Sequence, residues 1–452
     1  MEVRNRGHST SASQVSSTEM KRNFSMSSFS TGIAAVKWTT LLILVLTAVY
    51  CIVQFLPPMH DKNSRPVNTR DAFSTLLGLH IPTFAVVLDA GSTGSRVLAF
   101  SFFKSRIDGS LQIKDELFYE IKPGLSSFAD DPLKGASTIK ELLNEADSFV
   151  PEGYRPLTPL ILRATAGLRL LPAAKAERLL AEVRKVFYDS GYVVQPNAVD
   201  IMDGSDEGIF SWFTINFLSG KLGEGVEKTA VTLDLGGGST QITFGLQEDN
   251  GDIPVENVHV VNGAKVPIKV FTNSYLGLGL MSARKAILDH HKTDETNFAS
   301  PCIGTSAPTK WVFNSQELLV KRSRREQPDS FGTCHDLASS LVRSKVKVPL
   351  DLNDKTINAI SYFYDRAVDA QLIDPKDGGV IKLENFEIAA RKVCRVPHDE
   401  HPFLCLDLSF IVALLKSGYG LESSVDIHLF KRINGHETSW ALGAAYQELM
   451  KP

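Results

Sequence analysis

The sequence predicts a mixed α/β fold: two similar domains facing a common cleft, preceded by one membrane-spanning helix. Three observations predict it. The stretches FAVVLDAGSTGSRVLAF and AVTLDLGGGSTQITF share one plan (apolar strand, Asp, Gly/Ser/Thr turn, apolar strand), and their aspartates, Asp89 and Asp234, stand 145 residues apart. A plan repeated at domain spacing marks a duplication. Amphipathic helical segments alternate with such strands, as in α/β packing. Residues 38–56 form an uncharged run of 19 residues, about 28 Å long as a helix and close to the thickness of a hydrocarbon core.

Each element follows in chain order. Residues 1–37 carry five basic side chains (Arg4, Arg6, Lys21, Arg22, Lys37) against two acidic ones (Glu2, Glu19), in a Ser/Thr-rich context. That composition reads as a disordered tail on the cytoplasmic side of an anchor. The run at 38–56 reads as an uncleaved anchor rather than a signal peptide. A tail of 37 residues precedes it, and bulky Gln54-Phe55-Leu56-Pro57 stands where a small-residue cleavage site would be. The body beyond the polar stem at 57–80 is then lumenal, and cleavage past the anchor would release a soluble form. The only N-x-S/T sequon, Asn23-Phe24-Ser25, falls on the cytoplasmic side of this topology. The longest later apolar run, Phe410 to Leu415, is core-sized.

In the body, FAVVLD (84–89) is continuously apolar, as a buried strand is, and runs through the turn DAGSTGSR (89–96) into a second strand, VLAFSFF (97–103). Apolar residues at helical spacing mark helices at 138–150 and 173–188, with LILRATAG (160–167) between them as strand into turn. The second copy of the plan follows at 230–244.

Composition narrows the function. The 452 residues carry a net charge of −3, so no basic field holds DNA or RNA. Of five cysteines, Cys51 lies in the apolar run; Cys302, Cys334, Cys394 and Cys405 lie late in the body, where an oxidising lumen would pair them. Four cysteines allow three connectivities, and proximity favours 302–334 and 394–405.

The two turns carry the chemistry. Glycine lets a phosphate approach the backbone closely, successive amides point at the anion, and Ser and Thr hydroxyls add donors. An Asp ending each buried strand puts two carboxylates at the cleft floor, a setting for a hydrated divalent cation. A third element, GSDEGIFSW (204–212), holds Glu207 in a segment otherwise built for burial. Two readings stand level: a carboxylate at a helix start, favoured by the macrodipole, or a general base aimed at water.

The motifs DAGSTGSR (89–96), ATAGLRLLP (164–172), DEGIFSW (206–212), DLGGGSTQI (234–242) and HETSWALGA (436–444), in this order, resemble the five apyrase conserved regions of the ecto-nucleoside triphosphate diphosphohydrolase family. The resemblance runs from about residue 84 to the C-terminus. With the single anchor and the SYLGLGLMSAR stretch (274–284), it is closest to the Golgi-type branch that prefers nucleoside diphosphates. The resemblance implies two ribonuclease-H-like domains of the actin/heat-shock-chaperone/hexokinase type: domain I at 81–205, with 430–452 returning to it, and domain II at 206–429. It implies hydrolysis of the terminal phosphate of UDP, GDP or IDP, with triphosphates used more weakly. The reaction would depend on Ca2+ or Mg2+ in the Golgi or endoplasmic reticulum lumen, clearing nucleotides left by glycosyl transfer.

By motif, Glu207 would activate the attacking water, with Gln241 and Ser239 orienting it. Asp89, Asp234 and Thr165 would hold the metal through its waters. Ser92, Thr93, Gly94, Ser95 and Arg96 would bind phosphate from one side, and Gly236, Gly237 and Gly238 from the other. Phe363 and Tyr364, in ISYFYD (360–365), are candidates to stack on the nucleobase, although both also fit a core role. Trp440 fits the domain interface better than a substrate contact. The basic run 321–325 reads as a solvated loop that also resembles a furin-type cleavage site. A kinase or chaperone ATPase uses similar phosphate turns, and a binding protein could too. The presence of Glu207, Ser239 and Gln241 favours hydrolysis.

Overall fold

The computed structural model describes residues 78–451, apart from gaps at 248–252, 263–266, 306, 315, 324–329, 348–351, 353 and 397, together with residues 38–41, 43, 44 and 47. The last of these are helical. The tail with Asn23, most of the apolar run with Cys51, the stem up to residue 77 and the end of the basic run lie outside the described residues. Among the described residues no helix is long and apolar enough to cross a membrane. Met1–His80 and Ile81–Pro452 are separate units.

Two sheets organise the second unit. The first has the order β3-β2-β1-β4-β5, built from β1 (His80–Ala90), β2 (Ser95–Ser105), β3 (Leu111–Ile121), β4 (Leu160–Ala164) and β5 (Val199–Ile201). Strand β1 starts four residues before the apolar run that announces it, because ladder hydrogen bonds extend past the buried stretch. Val86, Val87 and Leu88 are fully buried, as a continuous apolar run requires in a strand covered on both faces. Helices α1 (Pro132–Phe149) and α3 (Ala173–Tyr188) pack together, with the short α2 (Ala166–Arg169) between β4 and α3. Leu179, Leu180, Val183 and Phe187 form the buried stripe of α3.

The second sheet repeats this plan. After α4 (Gly204–Leu218) come β6 (Val231–Leu235), β7 (Ser239–Gly245), β8 (Val258–Val261), β9 (Ile268–Leu276) and α5 (Leu280–Asp289). A small three-stranded sheet follows, made of β10 (Asn297–Ser300), β11 (Thr309–Phe313) and β12 (Gln316–Arg322), and then α6 (Ser330–Arg343). The main sheet is completed by β13 (Ile357–Ser361), β14 (Gly379–Lys382) and β15 (Asp426–Leu429), giving the order β14-β15-β13-β6-β7-β9-β8. Its core, β9-β7-β6-β13-β15, matches β3-β2-β1-β4-β5 strand for strand: β6 pairs antiparallel with β7 and parallel with β13, and β1 pairs parallel with β4. Helices α7 (Tyr362–Asp369), α8 (Leu383–Arg395) and α9 (Leu404–Ala413) cover this lobe.

Two large hydrophobic cores underlie the two main sheets; Phe298, Leu318 and Val320 of the small sheet join the second, and Val261, Ile268 and Val270 of β8 and β9 join the first. Helix α4 is apolar on all sides because it packs against β6, β7 and β9 and also against the C-terminal helix α10 (Trp440–Met450). Helix α10 also touches β2, so its Trp440, Leu442 and Ala445 belong to the first sheet's core. A short hairpin, β16 (Arg432–Ile433) with β17 (His436–Glu437), precedes it. Cys302 is bonded to Cys334 and Cys394 to Cys405, the connectivity that sequence proximity favours.

Candidate active site

A cleft of about 630 Å³ opens where the strand ends of the two sheets meet, and Asp89, Ser92, Thr93, Arg96, Thr165, Glu207, Asp234, Gly236 and Gly237 all line it. The two glycine turns come close: a Cβ on Gly237 would strike the Ser92 hydroxyl, so a larger residue there would force that side chain to shift.

Asp89 is the penultimate residue of β1 and is buried. Arg96 Nη1 donates to its Oδ2 at 3.0 Å, while Oδ1 has no partner among the described residues. Asp234, the penultimate residue of β6, is also buried; Ser211 donates to its Oδ2 at 2.9 Å and Ser361 to its Oδ1 at 2.7 Å. Ser361 holds a left-handed φ of 61°, a conformation unfavourable for a residue with a Cβ, at the junction of β13 and α7. Burial raises both carboxyls; Arg96 opposes the rise at Asp89, and the two serine hydroxyls oppose it at Asp234.

Glu207 lies in the first turn of α4, capped by Asp203, which accepts from Ser205 N–H at 2.8 Å. Burial pushes its carboxyl up to about 8; Arg169 opposes this, while Asp234 and Asp89 reinforce it. Gln241 Nε2 lies 3.0 Å from Glu207 Oε2, 2.9 Å from Ser239 Oγ and 2.9 Å from Ser274 Oγ. Gln241 and Ser239 are fully buried behind Glu207. Thr165 stands at the N-cap position of α2, with no capping hydrogen bond from its side chain, and lines the cleft.

Several expected residues stand off the cleft lining. Ser95 is buried and its hydroxyl accepts Leu125 N–H at 3.0 Å, so it braces the turn. Gly94 backs onto the Glu120 side chain, and Gly238 holds Gly277 N–H through its carbonyl at 2.8 Å. Phe363 is a correction: it is fully buried in the second lobe's core, because it points inward from the first turn of α7. Tyr364 lines the cleft but is mostly buried, its hydroxyl donating to Pro375 O at 2.8 Å. The aromatic neighbour that spans the cleft is Tyr362, whose hydroxyl donates to Thr93 Oγ1 at 3.3 Å. Trp440 packs in the first core and also lines the cleft.

Sequence reasoning missed Ser211, Ser361, Ser274, Tyr362 and Arg169. All five sit inside stretches quoted above, but nothing in residue type or spacing separates them from their neighbours. The cleft also holds Arg284 and Arg366, both paired with the fully buried Asp407.

Two desolvated carboxylates facing one space repel each other, and Asp89 Oδ1 is an orphaned buried oxygen. Such a donor set fits a hard, oxygen-seeking divalent cation and its waters. Glycine turns, hydroxyls and a buried carboxylate on such a floor make a phosphohydrolase cleft.

The fold and site therefore define a two-lobed α/β phosphohydrolase. Residues 81–451 match the GDA1/CD39 (nucleoside phosphatase) family, and the chain belongs to that family. It is 41% identical over 375 residues to the human nucleoside diphosphate phosphatase ENTPD5, covering 81% of this chain and 87% of that one. It is 39% identical over 378 residues to ectonucleoside triphosphate diphosphohydrolase 6 of Rattus norvegicus, covering 81% and 82%. Its fold resembles the crystal structure of nucleoside triphosphate hydrolases from Neospora caninum, with a TM-score of 0.58 at 14% identity over 84% of this chain and 96% of that one.

Proposed function

We propose that the chain hydrolyses the terminal phosphate of nucleoside diphosphates, UDP, GDP and IDP foremost and triphosphates more weakly, in the lumen of the secretory pathway. The observation that carries this reading is the placement of Glu207. Its carboxylate lines the cleft with Asp89 and Asp234, and Gln241 and Ser239 stand behind it.

The substrate's diphosphate lies between the turns, held by Ser92, Thr93 and Arg96 on one side and by Gly236 and Gly237 on the other. Ca2+ or Mg2+, held through water by Asp89, Asp234 and Thr165, would neutralise the phosphate oxygens. Glu207 takes a proton from a water whose oxygen attacks the terminal phosphorus. The bond from that phosphorus to the bridging oxygen breaks, and its electron pair leaves with the nucleoside monophosphate. Glu207 then gives the proton to solvent, leaving orthophosphate and monophosphate.

The two disulfides support an oxidising compartment, and residues 38–56 support a single N-terminal anchor with a cytoplasmic tail, in the Golgi or endoplasmic reticulum membrane. Release past the anchor would give a secreted form. In that lumen the enzyme would clear the nucleoside diphosphates that glycosyl transfer leaves behind.

The test is phosphate release by the full-length chain in detergent. UDP, GDP, IDP, ADP and their triphosphates are compared with Ca2+, Mg2+ or chelator, beside Glu207→Gln. Diphosphate-favouring, cation-dependent release is expected, with turnover in Glu207→Gln lower by about 10²–10⁴-fold. Wild-type turnover in that variant would refute the role of Glu207. Equal use of triphosphates would refute the diphosphate preference.

A further inference from the structure

We infer that Arg169 is a positioning residue for the water-activating carboxylate: it pins one oxygen of Glu207 so that the other is presented to the cleft. This inference rests on the reading of Glu207 given under Proposed function.

Arg169 closes α2, four residues after Thr165, and its Nη2 donates to Glu207 Oε2 in a close ion pair. Both side chains are largely removed from water, Arg169 15% and Glu207 9% exposed. Gln241 Nε2 donates to the same Oε2. Among the described residues no hydrogen bond falls on Oε1, although Glu207 lines the cleft. One oxygen is thus held twice, and the other is left for a water.

Gln241 does not fix this geometry alone. Its amide has two hydrogens, and Nε2 stands within reach of three acceptors, Glu207, Ser239 and Ser274. The guanidinium is the committed donor. It does not line the cleft, so it acts from behind Glu207 rather than on the phosphate. The first turn of α4 is open to receive it: a Cβ on Gly204 would stand 2.7 Å from Arg169 Nη1.

Charge works in the same direction. The groups facing Glu207 are Asp89 from β1, Asp234 from β6 and Arg169 from α2, and Arg169 is the cation among them. Burial and both aspartates favour a protonated Glu207, which is useless as a base; Arg169 opposes them.

The experiment compares Arg169→Ala, Arg169→Lys and Glu207→Gln in the full-length chain under the same cation. Arg169→Ala is expected to lose about 10- to 100-fold in kcat, with KM changed by less than about twofold. Added guanidinium chloride should restore part of that kcat, and sodium chloride at the same ionic strength should not. Arg169→Lys should fall between, since an ammonium keeps the charge but not the planar fork. In the Glu207→Gln background, Arg169→Ala should cost little more, because the two act as one unit.

Unchanged kcat in Arg169→Ala, or a loss that guanidinium does not restore and that comes with a raised KM, would overturn the inference while leaving Glu207 as base. Full turnover in Glu207→Gln would overturn the base reading itself. If Arg169→Ala has no cooperative melt, Arg169→Lys carries the test by its reduced kcat at unchanged KM.

Discussion

Glu207 shows what a residue gains from its surroundings. In sequence it is one acid beside Asp206; in the fold it is buried while Asp206 is the more exposed of the pair. Its carboxyl, raised to about 8 by burial, loses its proton above the ordinary range, so less of the proposed base is ionised as pH falls. We therefore expect kcat/KM to rise with pH through an acid limb above about pH 5, and a profile from about pH 5 to about pH 9 locates it. A flat profile across that range would detach the chemistry from Glu207. Ser361 makes the complementary point: its strained φ aims a hydroxyl at Asp234, and no residue-level rule places a serine there.

At the scale of elements, three helices of the second lobe are tied through one carboxylate. Asp407 on α9 is fully buried and accepts from Arg284 Nε at 3.0 Å and Nη2 at 2.6 Å on α5, and from Arg366 Nη1 at 3.2 Å on α7. Arg284 also lies over the Phe403 ring, 4.0 Å from its centroid. Removing the carboxylate would leave Arg284 uncompensated at the cleft wall and Arg366 with Asp369 as its remaining carboxylate. Asp407→Ala should lose about 3–5 kcal/mol of stability, measured by urea unfolding, more than an exposed ion pair contributes. The loop between Cys394 and Cys405 leads into α9, and its Glu400, His401, Pro402 and Phe403 line the cleft. The disulfide thus anchors a cleft wall as well as a core. These elements were only partly legible: the cysteines announced the pairing, but Arg284, Arg366 and Asp407 are far apart in sequence and share no spacing rule.

For the whole molecule, the two lobes bring Asp89, Glu207 and Asp234 to one cleft, and all three carboxyls are raised. The folded chain then holds protons that the unfolded chain has released. Their contribution to stability is complete below the ordinary carboxylate range and is lost as pH rises through the raised values, about 8 for Glu207. On the proposed reading, a divalent cation bound to the folded state would offset that loss. The rise in Tm caused by Ca2+ or Mg2+ should therefore be larger near about pH 8 than near about pH 5, by calorimetry with and without chelator. An equal rise at both would show that the cation binds away from these carboxylates.

The sequence by itself determined the duplicated strand–Asp–turn–strand plan and its interleaved helices, because strand and helix periodicities and glycine turns are local properties of the chain. It also carried the order of motifs that marks the family. Tertiary structure decided which residues meet. It placed Phe363 in the core and Tyr362 across the cleft, turned Ser95 into a brace, and set Arg169 behind Glu207. Those outcomes depend on which face of an element is turned inward and on contacts between residues distant in sequence, and pattern along one chain does not record them.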